Sequence, residues 1–445
     1  MSLVLLGILN SQVAGGGKYW LSSIDSATGH LGGYMAIDSA DNLYLASTNY
    51  ESSNYDAYLA KMDNAGSIQW QRELSGAAVE FIEDVATDSS GNAYFVGRTT
   101  SEGAGSDDVL LAKYNSSGTL QWQRVLGDAD SNVAYSITVD SSGNVYVAGR
   151  QYVSGTFDFE SLLAKYDSSG TIQWQRSLAT GVADQDVVAY GVTTDSAGNV
   201  YMTGYTGTNV FSSHIMILVK YNSSGTIQWQ RTLKVAFLRF AGYATNIDSS
   251  GNVYVTGFGA ASGAGNDTLS IVKYNSSGTL QWQKYLGEAT LYTLAIGGVS
   301  VAFDSLDNVY VTGVKESGTY YCQIAKFDSS GTLQWQRSLD GFNRDYAYSV
   351  GLDSNDDLYI AGRTNSTSDS LYKLLTAKLP SDGSLTGTYT LDSTDFTYSA
   401  TSLVTGNLGA TDSAGSLTGG TPTNTSTATT LTSSSITLTQ NIVKF

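Results

Sequence analysis

Short apolar runs on consecutive positions recur along this chain, each bounded by small polar turn formers. Val145-Tyr-Val-Ala148 follows Asp140-Ser-Ser-Gly-Asn144, and Val109-Leu-Leu-Ala112 leads into Asn115-Ser-Ser-Gly118. Runs of this length with β-branched and aromatic residues predict strands, and apolar residues on successive positions predict that both faces of each strand are covered. Asp-Ser-Ser-Gly and Asn-Ser-Ser-Gly predict tight hairpin turns, because Gly reaches the left-handed backbone conformation that closes them.

The pattern repeats. The string Asp140-Ser-Ser-Gly-Asn-Val-Tyr-Val-Ala-Gly-Arg150 has counterparts beginning at Asp38, Asp88, Asp195, Asp248, Asp304 and Asp353, which makes seven copies. A second string, Lys113-Tyr-Asn-Ser-Ser-Gly-Thr-Leu-Gln-Trp-Gln-Arg124, sets tryptophans at Trp70, Trp122, Trp174, Trp229, Trp282 and Trp335, with Trp20 as a degenerate early member. A period near fifty residues suits a four-stranded blade. Its strands, A to D, are read as 135–139, 144–150, 109–114 and 119–126. Where the A to B turn lacks Gly, Asp41, Asp307 and Asp356 stand in, and Asp tolerates the same backbone.

One such sheet cannot hide both its faces, but radial stacking of sheets can. The expectation is an all-β, seven-bladed β-propeller with four-stranded blades over residues 25–379, followed by a small C-terminal β segment. Each D-strand Trp is expected between blades, where full burial would contribute up to roughly 4–6 kcal/mol. Eight D-like strands compete for seven places: the N-terminal Tyr19-Trp20-Leu21, and a degraded copy at 384–391 with Gly387 at the Trp position. The N-terminal one is preferred, since pairing the chain ends removes a free sheet edge. Residues 1–24 are thus read as an N-terminal segment and ring-closing strand.

Composition narrows the function. With 48 Gly, 2 Pro and 30 Tyr the chain is rich in turn and strand formers, and a net charge of −17 opposes binding to nucleic acid or anionic membranes. The apolar run Leu3 to Leu9 has no basic residue before it and is too short to span a bilayer, so neither a signal peptide nor membrane insertion is expected. Cys322 is the only cysteine, which precludes an intrachain disulfide and reads as a small buried residue. His30 and His214 are the only histidines, and the repeated turn aspartates read as hairpin formers, so no metal and no cofactor are expected. Sequence signatures of hydrolase elbows, zinc proteases and phosphate loops are missing, which argues against an enzyme. A paired-carboxylate lyase or hydrolase is the lesser alternative, because spatial distance defines such a pair.

If the A to B and C to D turns are tight, the longer B to C and D to A loops share the opposite face, and binding is expected there. The candidates on those loops are Tyr50, Tyr55, Tyr152, Phe157, Phe159 and Phe211 from the first half of the chain. The second half contributes His214, Phe237, Phe240, Tyr320, Tyr321, Phe342 and Arg344. Arg98, Arg150 and Arg363 close B strands, whereas Arg72, Arg124, Arg176, Arg231 and Arg337 follow Gln-Trp-Gln. Their repetition predicts structural pairing with acids at blade edges.

The two repeated strings resemble the SBBP bacterial beta-propeller repeat family and, more distantly, NHL-type blades, a resemblance that implies a propeller and leaves function to the loops. The opening Met1-Ser-Leu-Val-Leu-Leu-Gly-Ile-Leu-Asn-Ser-Gln12 resembles the starts of virion structural proteins from tailed bacteriophages, especially marine ones. That resemblance implies a non-enzymatic virion component: a tail fibre, adhesin or head decoration. Its partners would be other virion proteins and a host-surface glycan or protein. The alternative is a bacterial surface or secreted propeller, extracellular in place of virion-borne. From Pro380 to Phe445 the composition shifts to Ser, Thr and Gly, with alternation in Ser435-Ile-Thr-Leu-Thr-Gln-Asn-Ile442 that suggests strands. Residues 380–445 are expected to serve docking or homo-oligomerisation.

Overall fold

The computed structural model describes residues 18–444 except 27–28, 52–53, 157, 183, 209–213, 235–238, 261–266, 288–299, 317–318, 367–370, 392–393, 402–403, 407–410, 415–417, 421–424, 429–431 and 436–439. Strands and turns account for the described residues, with no helix among them. Blade one comprises His30–Ile37, Leu43–Glu51, Asn54–Met62 and Ile68–Ser75, and blade two Glu80–Thr87, Ala93–Thr99, Asp108–Tyr114 and Leu120–Gly127. Blades three, four, five and six repeat this order from Asn132, Asp186, Phe240 and Ser300. Blade seven has Asp345–Leu352, Leu358–Thr364 and Lys373–Leu379, and its fourth strand is Trp20–Ile24, antiparallel to the third with Trp20 opposite Lys378. The molecule is a seven-bladed β-propeller whose A strands pack against one another around the axis.

The strand periodicity explains the stacking. Along the B strand of blade three, Val145 and Val147 face blade two while Tyr146 faces blade four. All three are fully buried. Seven apolar clusters result, one in each interface between neighbouring blades. The last joins Trp20, Ile24, Tyr359 and Leu374 of blade seven to Leu43, Leu45 and Tyr58 of blade one, so the ring closes through the same packing that builds it.

At the tight-turn face the repeat carries a hydrogen-bonded clasp. In blade two, Asp88 accepts from the backbone N–H and side chain of Asn92 and from the Tyr94 hydroxyl, and Lys113 approaches it at 3.9 Å. Burial opposes ionisation of Asp38, Asp88 and Asp304. The Asn side-chain and backbone donors prevail, and these carboxyls stay below the usual range. The D-strand Trp then reaches sideways. Trp122 Nε1 donates to the Ser168 carbonyl in the C to D turn of blade three, and Trp20 does the same to Asn64 of blade one. Trp20 is fully buried, but Trp122 and its equivalents in blades three to six keep a solvent-facing edge. Their stabilisation therefore falls short of the full-burial figure.

The D-strand arginines behave differently from the sequence expectation. Arg72, Arg124, Arg176 and Arg337 donate through Nε to the carbonyls of Gly118, Gly170, Gly225 and Gly383 in the next blade, at 2.6–2.8 Å. They hold turn carbonyls, not acids. Trp and Arg together grip the neighbouring turn, and an added Cβ on Gly118 or Gly170 would come within 2.8 Å of the Trp ring. This explains why the C to D turns keep Gly, whereas the A to B turns accept Asp41, Asp307 and Asp356 at φ of 59–62°.

The tail encircles the ring. After Leu379, Gly387–Leu391 forms a hairpin with Thr394–Ala400, and the latter adds a fifth strand to blade six. Val404–Gly406, Thr411–Ala414, Thr418–Gly420, Thr425–Ala428 and Thr432–Ser435 then add fifth strands to blades five, four, three, two and one. Gln440–Lys444 completes the circuit on blade seven by pairing with Trp20–Ile24. Tyr398, Thr405, Asp412, Gly419, Ser426, Ser433 and Gln440 stand opposite the equivalent D-strand residue of each blade, one every seventh position. The D-strand edge of every blade is thereby paired within the chain, and the outermost strand of each sheet is then only three to five residues long, a poor template for adding foreign strands.

Candidate recognition face

The axis is built from the A strands. Each described A strand except the short one of blade six carries an irregularity near its middle, between Ala134 and Ser136 in blade three, and the extra residue is set toward the channel. Tyr135, Tyr190, Tyr243 and Tyr348 occupy that place, Glu83 replaces Tyr in blade two, and Tyr34 follows the bulge of blade one. Tyr190 and Tyr243 stack at 4.7 Å, Tyr135 lies 4.9 Å from Tyr190, and Tyr34 lies 5.7 Å from Tyr348. These rings and the hydroxyl-bearing residues Thr138, Thr193, Thr245 and Ser300 line an axial cavity of about 460 Å³.

Two carboxylates face this cavity. Burial pushes Glu83 up to about 6, opposed by the Tyr34 hydroxyl that donates to it at 3.1 Å and by Arg98 and Arg150 nearby. Burial also pushes Asp84 up to about 6, against the bonds it accepts from Ile137 N and Ser136 Oγ, both at 3.0 Å. Asp84 thus satisfies a backbone donor of the neighbouring blade, as Ser349 does for Met35 and Ser136 for Val192. The histidines are engaged elsewhere. His30 is fully buried against Ser47 Oγ at 2.7 Å, and burial lowers it to about 3. His214 stacks on Tyr205 at 3.8 Å, also lowered by burial. Among the described residues no group of three or more His, Cys, Asp or Glu side chains is placed to hold a metal ion.

Toward the long-loop end, side chains from A, B and C strands form a collar of rings and guanidinium groups. Tyr50 and Tyr55 lie 4.8 Å apart, Tyr55 stacks on Phe81, and Arg98 covers Phe81 at 4.5 Å. Tyr152 and Phe159 meet at 5.4 Å, with Arg150 4.1 Å from the Phe159 ring. Tyr320 stacks on Tyr346 at 5.5 Å and Arg344 lies 5.2 Å from Tyr320, while Arg363 contacts Tyr346 and Tyr372 at 4.8 and 4.3 Å. Tyr321 is half-buried beside Tyr320, and Phe342 is 86% exposed. Phe240 is a correction: it is fully buried in the core between blades four and five, because it opens the A strand and does not sit on the loop before it. Phe157, Phe211 and Phe237 lie outside the described residues.

The B-strand arginines also depart from the acid-pairing expectation. Arg98 reaches Asp107 at 3.4 Å, but Arg150 and Arg363 rest on aromatic rings and form no ion pair among the described residues. Sequence reasoning missed Tyr34, Glu83, Tyr135, Tyr190, Tyr243 and Tyr348. Their signal was a Tyr five positions before the turn Asp in blades three, four, five and seven.

Strand ladder, turn clasp and inward Tyr all recur in register with the repeated strings. Residues 121–150 and 178–212 match the SBBP beta-propeller repeat. The chain is 24% identical over 273 residues to an uncharacterized WD repeat-containing protein of Acanthamoeba polyphaga mimivirus, covering 54% of this chain and 19% of that protein. It is 26% identical over 352 residues to the regulatory protein FlaEY of Caulobacter vibrioides, covering 74% of this chain and 33% of that protein. The chain therefore spans a third or less of the length of these relatives. Among solved structures, Sqt1 from Chaetomium thermophilum superposes with a TM-score of 0.45 at 10% identity, covering 87% of this chain and 99% of that one.

Proposed function

We propose that this SBBP-repeat propeller is a non-enzymatic binding module of a tailed-phage virion, presenting its long-loop face to a host-surface glycan or protein. The observation that carries the binding role is the asymmetry of the two faces. On the tight-turn face the repeated charges and indoles are engaged in clasping neighbouring blades. Stacked tyrosines, exposed Phe342 and arginines without acid partners gather on the other. The binding reading is supported over catalysis by the engagement of Asp84 in a backbone bond and by two histidines held in ring and hydroxyl contacts. The virion setting rests on the resemblance of Met1 to Gln12 to the starts of phage structural proteins.

Mass spectrometry of purified particles tests that setting, with the chain expected among the structural proteins; its absence would refute it. A polysaccharide panel tests the catalytic alternative, with no turnover expected. The second reading, a bacterial surface or secreted propeller, draws on the longer match to a Caulobacter protein. It predicts the chain in host cell-surface fractions without any phage present.

A further inference from the structure

The repeated lysines on the tight-turn face of this acidic chain are matched. Lys61, Lys113, Lys220, Lys273, Lys326 and Lys378 each lie within 4 Å of a turn aspartate. The corner where blades six and seven meet at the long-loop face is different. Arg98, Arg150 and Arg363 each have a buried Nε with no hydrogen-bond partner, but here Arg363 is joined by the exposed Arg344 over one group of rings, and neither forms an ion pair among the described residues. Asp345, next to Arg344 in sequence, is buried and accepts from Gly341 N and Ser366 Oγ instead. Two guanidinium groups without acid partners, side by side in a chain this acidic, form a local positive spot that favours an anionic ligand.

The surroundings specify the anion further. Tyr320 and Tyr346 stack with planes 20° apart, Tyr346 and Tyr348 22° apart, and Tyr372 packs beside Tyr346. Phe342 projects into solvent from the same loop as Arg344. Tyr346 is buried, so the partly exposed Tyr320 and Tyr372 rings and Phe342 offer the contact for a sugar ring, and a planar guanidinium matches a carboxylate fork. The net charge of −17 disfavours long polyanions lying across the whole surface, so recognition is confined to this corner. We propose that Arg344 and Arg363, beside the Tyr320 and Tyr372 rings, bind an acidic glycan through the carboxylate of a uronic acid residue. This assignment rests on the binding reading above and names its ligand class.

Isothermal titration of the full chain with hexagalacturonate tests it, with maltohexaose as the neutral comparison. Saturable binding of hexagalacturonate is expected, with maltohexaose at least about tenfold weaker. Arg344→Gln and Arg363→Gln should each weaken hexagalacturonate binding by about tenfold or more, the effect of losing one charge-assisted hydrogen bond. Arg150→Gln, on blade three, should leave it unchanged. Arg344 is exposed, so its variant reports binding without perturbing the core. No binding of hexagalacturonate, equal binding of maltohexaose, or unaltered binding by Arg344→Gln would each overturn the assignment. If hexagalacturonate fails while particles still contain the chain, the ligand class is wrong and the virion reading stands.

Discussion

Gly251 and Gly278 offer a way to separate backbone strain from the contact between blades. Both sit in tight turns with nearly equal φ, 79° and 78°. An added Cβ meets nothing within 4 Å at Gly251, whereas at Gly278 it comes within 2.9 Å of the Trp229 ring of the preceding blade. Gly251→Ala should therefore cost only the left-handed strain, about 1–2 kcal/mol. Gly278→Ala adds the displacement of Trp229, another 1–3 kcal/mol or so for overpacking, and disturbs the Trp229 Nε1 bond to the Ser276 carbonyl. At about 2.1 cal/mol/K per residue, unfolding entropy for the 445-residue chain is about 0.9 kcal/mol/K. One kcal/mol then shifts the midpoint by about 1 °C. Calorimetry at matched scan rate should show a fall of about 1–2 °C for Gly251→Ala and about 2–5 °C for Gly278→Ala. Equal shifts would refute the claim that the Trp of one blade seats on the turn of the next.

The remaining predictions concern the ring and its acids. Trp20→Ala, at a fully buried site, should cost about 3–5 kcal/mol, and Trp122→Ala should cost less; denaturant midpoints that rank them the other way would contradict the burial argument. Deleting residues 1–24 strips blade seven of its fourth strand and leaves the last tail strand without a partner, so thermal unfolding should move sharply lower; an unchanged melt would mean another strand fills the gap. Glu83 is pushed up to about 6, so the stability it contributes is present below its unfolded value near 4.3 and is lost as pH rises through 6. Glu83→Gln should flatten the decline in stability between about pH 4.5 and 7 by at most about 2 kcal/mol, read as about 2 °C in melting temperature; an unaltered pH profile would count against its burial. The depressed turn carboxyls of Asp38, Asp88 and Asp304 act in the opposite sense, losing their contribution as the solution is acidified below about pH 4.

Much of the ring was legible because each blade repeats a local device. The Asp-x-x-Gly-Asn turn, the doubly buried Val-Tyr-Val strand and the Gln-Trp-Gln-Arg strand act within a few residues, so their meaning survives without the fold. What Trp and Arg touch was not legible, because their partners lie about 46 residues away in the next blade and are backbone carbonyls without side-chain identity. The axial tyrosines were hidden for a similar reason: a bulge turns one residue out of the regular alternation, and strand periodicity alone assigns it to the wrong face. The tail held its own unread signal. Phe396, Leu403, Ala410, Leu417, Leu431 and Leu438 recur at seven-residue spacing with Asn424 in the one remaining place, each followed by Thr or, at 404, Val. A seven-residue period is ordinarily read as helical, and only the seven blades beside it give the spacing its strand meaning.

The tail circling all seven blades ties the ends of the ring together. Backbone hydrogen exchange, read by mass spectrometry on the D-strand segments 72–75, 124–127, 177–179, 231–234, 285–287 and 337–340, tests this arrangement most directly when the full chain is compared with one ending at residue 393. The account predicts protection of all six segments in the full chain and faster exchange of all six in the shortened one. Equal exchange in the two chains would contradict it.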